Sequence, residues 1–418
     1  MRRIRSLDHA LPFDARTLRD EPRWLYRRAA DRDTAVLGMG CAELLEVHDP
    51  ATAFDRWRQL LHQGRPSMGY LTYDLREPLF GQRSRHVRRS DQPVLRWFVP
   101  EVMVCWEAGC THFLGTDPKA VDRLIDRLHR PQEELRSQPW NGWTLTTDAD
   151  AYLRHAGALL DHIQRGDIYE VNLCMERKAR LPGRDPHAAF MVGMARSQAA
   201  FAAFLAWDDR YALCFSPERF LWTAGGRVHC EPMKGTRPRA ADPVADRALA
   251  TELAGDPKER AENIMATDVV RHDLSRVAAE GSVVVPELCG IRSRGAVHQM
   301  VSRVEARLAA GMTPADAVAA AFPMASMTGA PKHRAMDLID RHEDGSRGLF
   351  SGTIGWCDAR GDLDLNVVIR TVEYDARSGE ARLMTGSALT AACDPRREWE
   401  ECALKADSVI QALGDAGA

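Results

Sequence analysis

Apolar residues at Tyr152, Leu153, Ala156, Leu159, Leu160 and Ile163 recur at i, i+1, i+4, i+7, i+8 and i+11, one stripe along a helix. Gly166 supplies its stop. Asp256-Pro257 and Asp394-Pro395 each pair an N-cap residue with a proline at the first helical position. They predict one helix from 257 to about 277 and another near the C-terminus. Elsewhere the pattern shortens to period two or becomes a wholly apolar run. Segments 69–73 and 102–106 read as buried strands, and 168–175, 211–215, 219–223, 348–356, 363–373 and 381–391 also read as strands. In 363–370, Leu363, Leu365, Val367 and Ile369 fall on one face, and Asp364, Asn366, Val368 and Arg370 on the other. Strand-rich blocks interrupted by helices, without regular βα alternation, predict an α/β protein of the α+β kind.

The pattern breaks near residues 130–147. Arg130-Pro131-Gln132-Glu133-Glu134 and Ser137-Gln138-Pro139 make a polar, proline-containing connector between an N-terminal part (1–140) and a second part (147–418). At 418 residues and 45% hydrophobic, the chain can bury cores for both. The net charge of -3 gives no electrostatic case for nucleic acid or an anionic membrane. The apolar stretch 315–327 contains Asp316 and Pro323, so a bilayer span is not expected. Ten cysteines without a C-x-x-C pair suit free thiols in a reducing compartment, and a cytoplasmic protein is expected.

Five constellations carry chemistry, all in the second part. On the C-terminal helix, Glu398, Glu401 and Lys405 share one face, and two carboxylates a turn apart can hold a hard cation such as magnesium. The alternative is a solvated face of Glu–Lys pairs. The helix after Asp256-Pro257 carries Glu259, Glu262, Asp268 and Asp273. Residues 231–239 place Lys234 at a strand end before a glycine turn, with Thr236, Arg237 and Arg239 following. Nearby guanidinium groups or burial would lower the lysine pKa, and a neutral lysine is a nucleophile; a basic surface loop is the plainer reading. Arg370 on the polar strand face suits capture of a carboxylate, or a cross-strand ion pair. Thr328-Gly329-Ala330-Pro331-Lys332 opens a helix whose N–H groups could bind an anion.

Order and wording make these features specific. Asp167-Ile168-Tyr169-Glu170-Val171-Asn172-Leu173, Ser216-Pro217-Glu218-Arg219-Phe220, Pro232-Met233-Lys234-Gly235-Thr236-Arg237-Pro238 and Lys258-Glu259-Arg260-Ala261-Glu262-Asn263 follow one another. Ser326-Met327-Thr328-Gly329-Ala330-Pro331-Lys332, Gly352-Thr353-Ile354-Gly355, Ile369-Arg370-Thr371 and Glu398-Trp399-Glu400-Glu401 complete the series. From Asp167 onward the chain resembles the chorismate-utilising enzymes, which include anthranilate, aminodeoxychorismate, isochorismate and salicylate synthases.

That resemblance implies two large antiparallel sheets packed as a sandwich with outer helices, and an active site in a cleft. It implies that Glu262, Glu398 and Glu401 hold Mg2+, which binds the ring carboxylate of chorismate. Arg370 and Lys405 would receive the substrate's carboxylates beside Gly386 and Ser387, and Trp356 takes a place often held by tyrosine. Lysine at 234 resembles the aminodeoxychorismate synthase branch, where alanine would resemble anthranilate synthase. Lys234 would then attack C2, Glu218 would protonate the departing C4 hydroxyl, and Thr236 would orient the groups. Glu170 stands where isochorismate and salicylate synthases carry a water-activating lysine. Ammonia would come from a separate glutamine amidotransferase subunit, for a product leading to 4-aminobenzoate and folate. Gln299 replaces a usual histidine, with His298 on the opposite strand face, and Ala325 and Ala388 replace usual glycines. Leu44-Leu45-Glu46 is similar to only part of the tryptophan-binding segment of anthranilate synthases. A different chorismate enzyme, or a non-catalytic binding subunit, would carry the same frame.

Overall fold

The computed structural model describes residues 1–88, 92–130, 134–294 and 297–414, without the Arg294 side chain. Among them, two antiparallel sheets of twelve and ten strands form the molecule. Alternation along single strands shows how they pack. Trp24 and Tyr26 face outward to a core shared with Leu124, Phe190 and Val409, residues of the covering helices Pro118–Leu128, Pro186–Ser197 and Pro395–Leu413. Leu25, between them, faces inward to meet Met68, Tyr70 and Phe98 of the other sheet. The ten-stranded sheet buries its outer face under Pro50–Leu61, Pro257–Ser275 and Pro314–Ala321. The expected sandwich with outer helices is what forms. All ten cysteines are free, and no helix of the described residues is long and apolar enough to cross a membrane.

Residues before 116 supply five strands to the larger sheet and three to the smaller, so both sheets are shared by the parts on either side of the connector. Pro131-Gln132-Glu133 of that connector lie outside the described residues. The helix Ala149–Gln164 ends as expected, with Gly166 at φ +78°. Asp256 and Asp394 cap their helices by accepting from Lys258 and Arg396 N–H groups.

Three strand expectations need correction. Residues 348–352 form a turn, with Ser351 at φ +63°, and the strand is Thr353–Cys357. The segment 363–373 is not one strand: Leu363–Asn366 belongs to the ten-stranded sheet and Thr371–Asp375 to the twelve-stranded one. Between them the chain crosses the sandwich, and Arg370 takes φ +51°. The apolar alternation persists through the crossing because Val367 and Val368 are both buried, one in the core of the ten-stranded sheet's outer face and the other between the sheets. Lys234 does not end a strand; it lies within Met233–Pro238, at a bulge where Gly235 adopts φ +86°. A Cβ on Gly235 would lie 2.9 Å from Glu259 Oε2, so glycine answers both the left-handed backbone and the crowding.

Candidate active site

A second crossing runs from Arg210–Ser216 in one sheet to Arg219–Ala224 in the other, and Glu218 sits on it. The Val367 N–H donates to the Glu218 carbonyl at 3.1 Å, so the crossings carrying Glu218 and Arg370 lie side by side. Arg219 anchors this point by pairing with Asp31 at 2.5 Å and Asp364 at 3.1 Å. The Ser326 hydroxyl donates to Glu218 Oε1 at 2.6 Å. Burial nevertheless pushes the Glu218 carboxyl up to about 7, against Ser326 and the nearby Lys234 charge.

Lys234, on the edge strand of the smaller sheet, reaches across and donates to Glu170 on the strand Glu170–Arg180 of the larger one. Burial would lower the lysine pKa, but the carboxylates of Glu170, Glu262 and Glu218 prevail and hold it raised. This reverses the expected effect of neighbouring arginines. Arg237 is occupied by Glu252, Asp256 and Glu259, and Arg239 by Asp246. Thr236 is exposed and its side chain makes no hydrogen bond among the described residues.

The C-terminal helix brings Glu398, Glu401 and Lys405 together, as their spacing requires. Ser387 donates to Glu398 and, at 3.3 Å, to Glu401. Lys405 pairs with Glu401 at 2.6 Å and donates to the Gly386 carbonyl at 3.0 Å. A Cβ on Gly386 would stand 2.5 Å from Asn172 Oδ1 and Cys174 Sγ, which explains its glycine. Glu262 comes from the other side of the cleft, and the half-exposed Lys258 amine lies between it (3.8 Å) and Glu398 (3.4 Å). No three Asp, Glu, His or Cys side chains converge as metal ligands among the described residues. Yet the set offers oxygen ligands that suit magnesium, and Glu262 Oε1 is buried without a hydrogen-bond partner. An orphaned carboxylate oxygen facing an ammonium fits a cation position that Lys258 fills. Burial raises the Glu262 carboxyl to about 7 despite Lys234 and Lys258.

Arg370 makes no side-chain hydrogen bond among the described residues, and with Gln299 it lines a cavity of about 360 Å³. Burial lowers its pKa, against the charge of Glu401. His298 turns away, bonded to Ser293 and to Asp246 at 2.9 Å, as its strand position requires. Trp356 does not join the cluster: it shares a strand face with Ile354 and packs with Met68 and Leu25 between the sheets. Lys332, at the helix start expected to bind an anion, is buried against Asp273 at 2.5 Å and the Ala321 carbonyl. Sequence reasoning missed Lys258 and Ser326 as members of the site. The i, i+4 spacing of Lys258 and Glu262 was a usable signal, whereas Ser326 lies 108 residues from the carboxylate it touches.

A sequence model described as "chorismate binding enzyme" matches residues 15–411. An aminodeoxychorismate synthase from Streptomyces griseus is 41% identical over 312 residues, 74% of this chain and 43% of that protein. Aminodeoxychorismate synthase component 1 from Klebsiella aerogenes is 37% identical over 273 residues, 65% of this chain and 60% of that protein. The chain thus spans about half the length of these curated relatives. The crystal structure of anthranilate synthase component I from Streptococcus pneumoniae superposes with a TM-score of 0.81 at 22% identity, covering 90% of this chain and 92% of that one; this likeness concerns the fold.

Proposed function

The chain belongs to the chorismate binding enzyme family, and on that premise we propose that it aminates chorismate at C4, as an aminodeoxychorismate synthase component 1. One observation carries the reading: the Lys234 amine is held inside the cleft, between Glu170, Glu218 and Glu262, instead of in solvent. Lys234 attacks C2 while the C4 hydroxyl departs with a proton from Glu218; ammonia then adds at C4 and the lysine leaves. A carboxyl raised to about 7 is protonated enough near neutrality to act as that acid. The names of the two curated relatives support the same branch.

Arg370 would receive one of the substrate's carboxylates, and Lys405, beside the Gly386 backbone, would receive another on leaving Glu401. Glu262, Glu398 and Glu401 would hold magnesium once Lys258 moves out, and the ion would supply positive charge for the ring carboxylate. Ser387 orients two of these carboxylates. The positioning role expected of Thr236 has no contact to support it. The "component 1" of the Klebsiella relative supports a separate glutaminase partner as the ammonia source, and free thiols fit a cytoplasmic setting. The product would feed 4-aminobenzoate and folate formation.

The test is product analysis with chorismate, ammonium and magnesium, on the native chain and on Lys234→Ala. The expected product is 4-amino-4-deoxychorismate, converted to 4-aminobenzoate by an added lyase, and the variant loses it. A native chain that makes 2-aminobenzoate would overturn the branch.

A further inference from the structure

We propose that Glu170 is a catalytic base for this chain: the group that takes the proton from Lys234 and frees the amine to attack. The proposal rests on the reading of Lys234 as the nucleophile. Its foundation is geometric. Glu170 is 3% exposed and accepts the one side-chain hydrogen bond that the Lys234 amine makes among the described residues. Its backbone is fixed from both sides, in register with Ala330 on one neighbouring strand and Thr390 on the other. Lys234 arrives from the opposite sheet, at a bulge in its strand, and its amine meets Glu170. A contact built from both layers of the sandwich, with both side chains largely buried, is not a casual surface pair.

Chemistry then selects among three carboxylates. The amine is held protonated at rest, since the surrounding carboxylates outweigh burial, and an ammonium group has no lone pair to form the C–N bond. Glu218 is needed in its acid form for the leaving hydroxyl, and burial raises its carboxyl to about 7, so that this form is available near neutrality. Glu262 faces the cation position beside Lys258. Glu170 remains, already bonded to the amine and with no other side-chain hydrogen bond among the described residues.

The proton balance closes. Lys234 gives a proton to the Glu170 carboxylate and adds to C2 through its nitrogen lone pair. The C4–O bond breaks, and the oxygen leaves as water with the Glu218 proton. Ammonia adds at C4, the C2–N bond breaks with its electron pair returning to Lys234, and Glu170 returns its proton to that amine. The new C4 ammonium loses a proton to Glu218. Chorismate and ammonia have become aminodeoxychorismate and water, and both carboxyl groups are restored.

Glu170→Gln preserves size and a hydrogen-bond acceptor but cannot take a proton. With chorismate, ammonium and magnesium, its kcat should fall by about 10²–10⁴-fold, while KM for chorismate changes little. Glu170→Asp should recover part of the loss. A Glu170 that only keeps the amine charged predicts the opposite sign, because removing it lets Lys234 shed its proton. A Gln variant with native or faster kcat therefore overturns the proposal. Should that variant fail to melt cooperatively, Glu170→Ala with added formate decides. Turnover that rises about tenfold or more with formate supports a lost base, and turnover indifferent to formate overturns it. A native chain without aminodeoxychorismate product, or a fully active Lys234→Ala, marks failure of the underlying reading instead.

Discussion

Glu218 is where pH should be read most directly. Burial pushes its carboxyl up to about 7, so it is protonated below that value and ionised above it. As the acid for the leaving hydroxyl, it supports turnover on the low-pH side, and activity should fall as pH rises through about 7. A kcat/KM–pH profile, which reports groups of the free enzyme, checks this, and in Glu218→Gln the limb should vanish along with about 10²–10⁴-fold of the rate. Lys258 gives a second prediction at the same scale. Its ammonium stands 3.4 Å from Glu398 and 3.8 Å from Glu262, competing for the carboxylates a cation would use. Removing a unit charge at that range should tighten magnesium binding by about tenfold or more. Titration calorimetry on Lys258→Met should show the lower Kd, and an unchanged value would deny that the lysine fills the cation position.

Elements position these residues, and their legibility was uneven for physical reasons. Asp256-Pro257 and Asp394-Pro395 announced their helices because capping is local: the aspartate accepts from N–H groups two or three residues on. The sharing of a face by Glu398, Glu401 and Lys405 followed from helical pitch alone. The strand from 363 to 373 was misjudged because period-two alternation reports burial, not sheet membership, and a buried crossing keeps the same alternation. The Glu170–Lys234 contact spans 64 residues and two sheets, so no local pattern encodes it. Helix Pro257–Ser275 couples these observations. Asp256 caps it and also holds Arg237, on the strand of Lys234, at 2.7 Å. Asp256→Ala should therefore cost about 0.5–2 kcal/mol in stability through the cap, seen as a lowered Tm. It should also weaken catalysis, because the strand bearing Lys234 loses a tether to the helix bearing Glu262. A variant with native Tm and turnover would show that neither link matters.

At the scale of the molecule, the connector near residue 130 separates motifs from the rest of the sequence, but both sheets run across it. Strand Phe201–Trp207 pairs with Arg23–Ala29, and Thr353–Cys357 pairs with Ser67–Leu71. One core cluster joins Trp57 and Trp97 with Leu221, Phe322 and Leu365. Charge crosses too: Asp31 holds Arg219, and Arg27 holds Asp364, with both arginines and Asp364 buried. A fragment of residues 147–418 would keep every proposed catalytic and metal-holding residue. It would also expose two long strand edges, open the core around Leu221 and leave Arg219 without Asp31. Unpaired edges template aggregation, and the buried network is weakened as Arg219 loses Asp31 and Asp364 loses Arg27, although Arg219 and Asp364 keep each other. The fragment should therefore be insoluble or lack a cooperative thermal transition, as measured by expression yield and circular dichroism. Cooperative melting of 147–418 alone would mean that the N-terminal strands only cover a catalytic unit complete without them. Failure to fold would mean that the cleft, closed by contacts such as Glu170 to Lys234 between layers, exists only because the two parts complete each other's sheets.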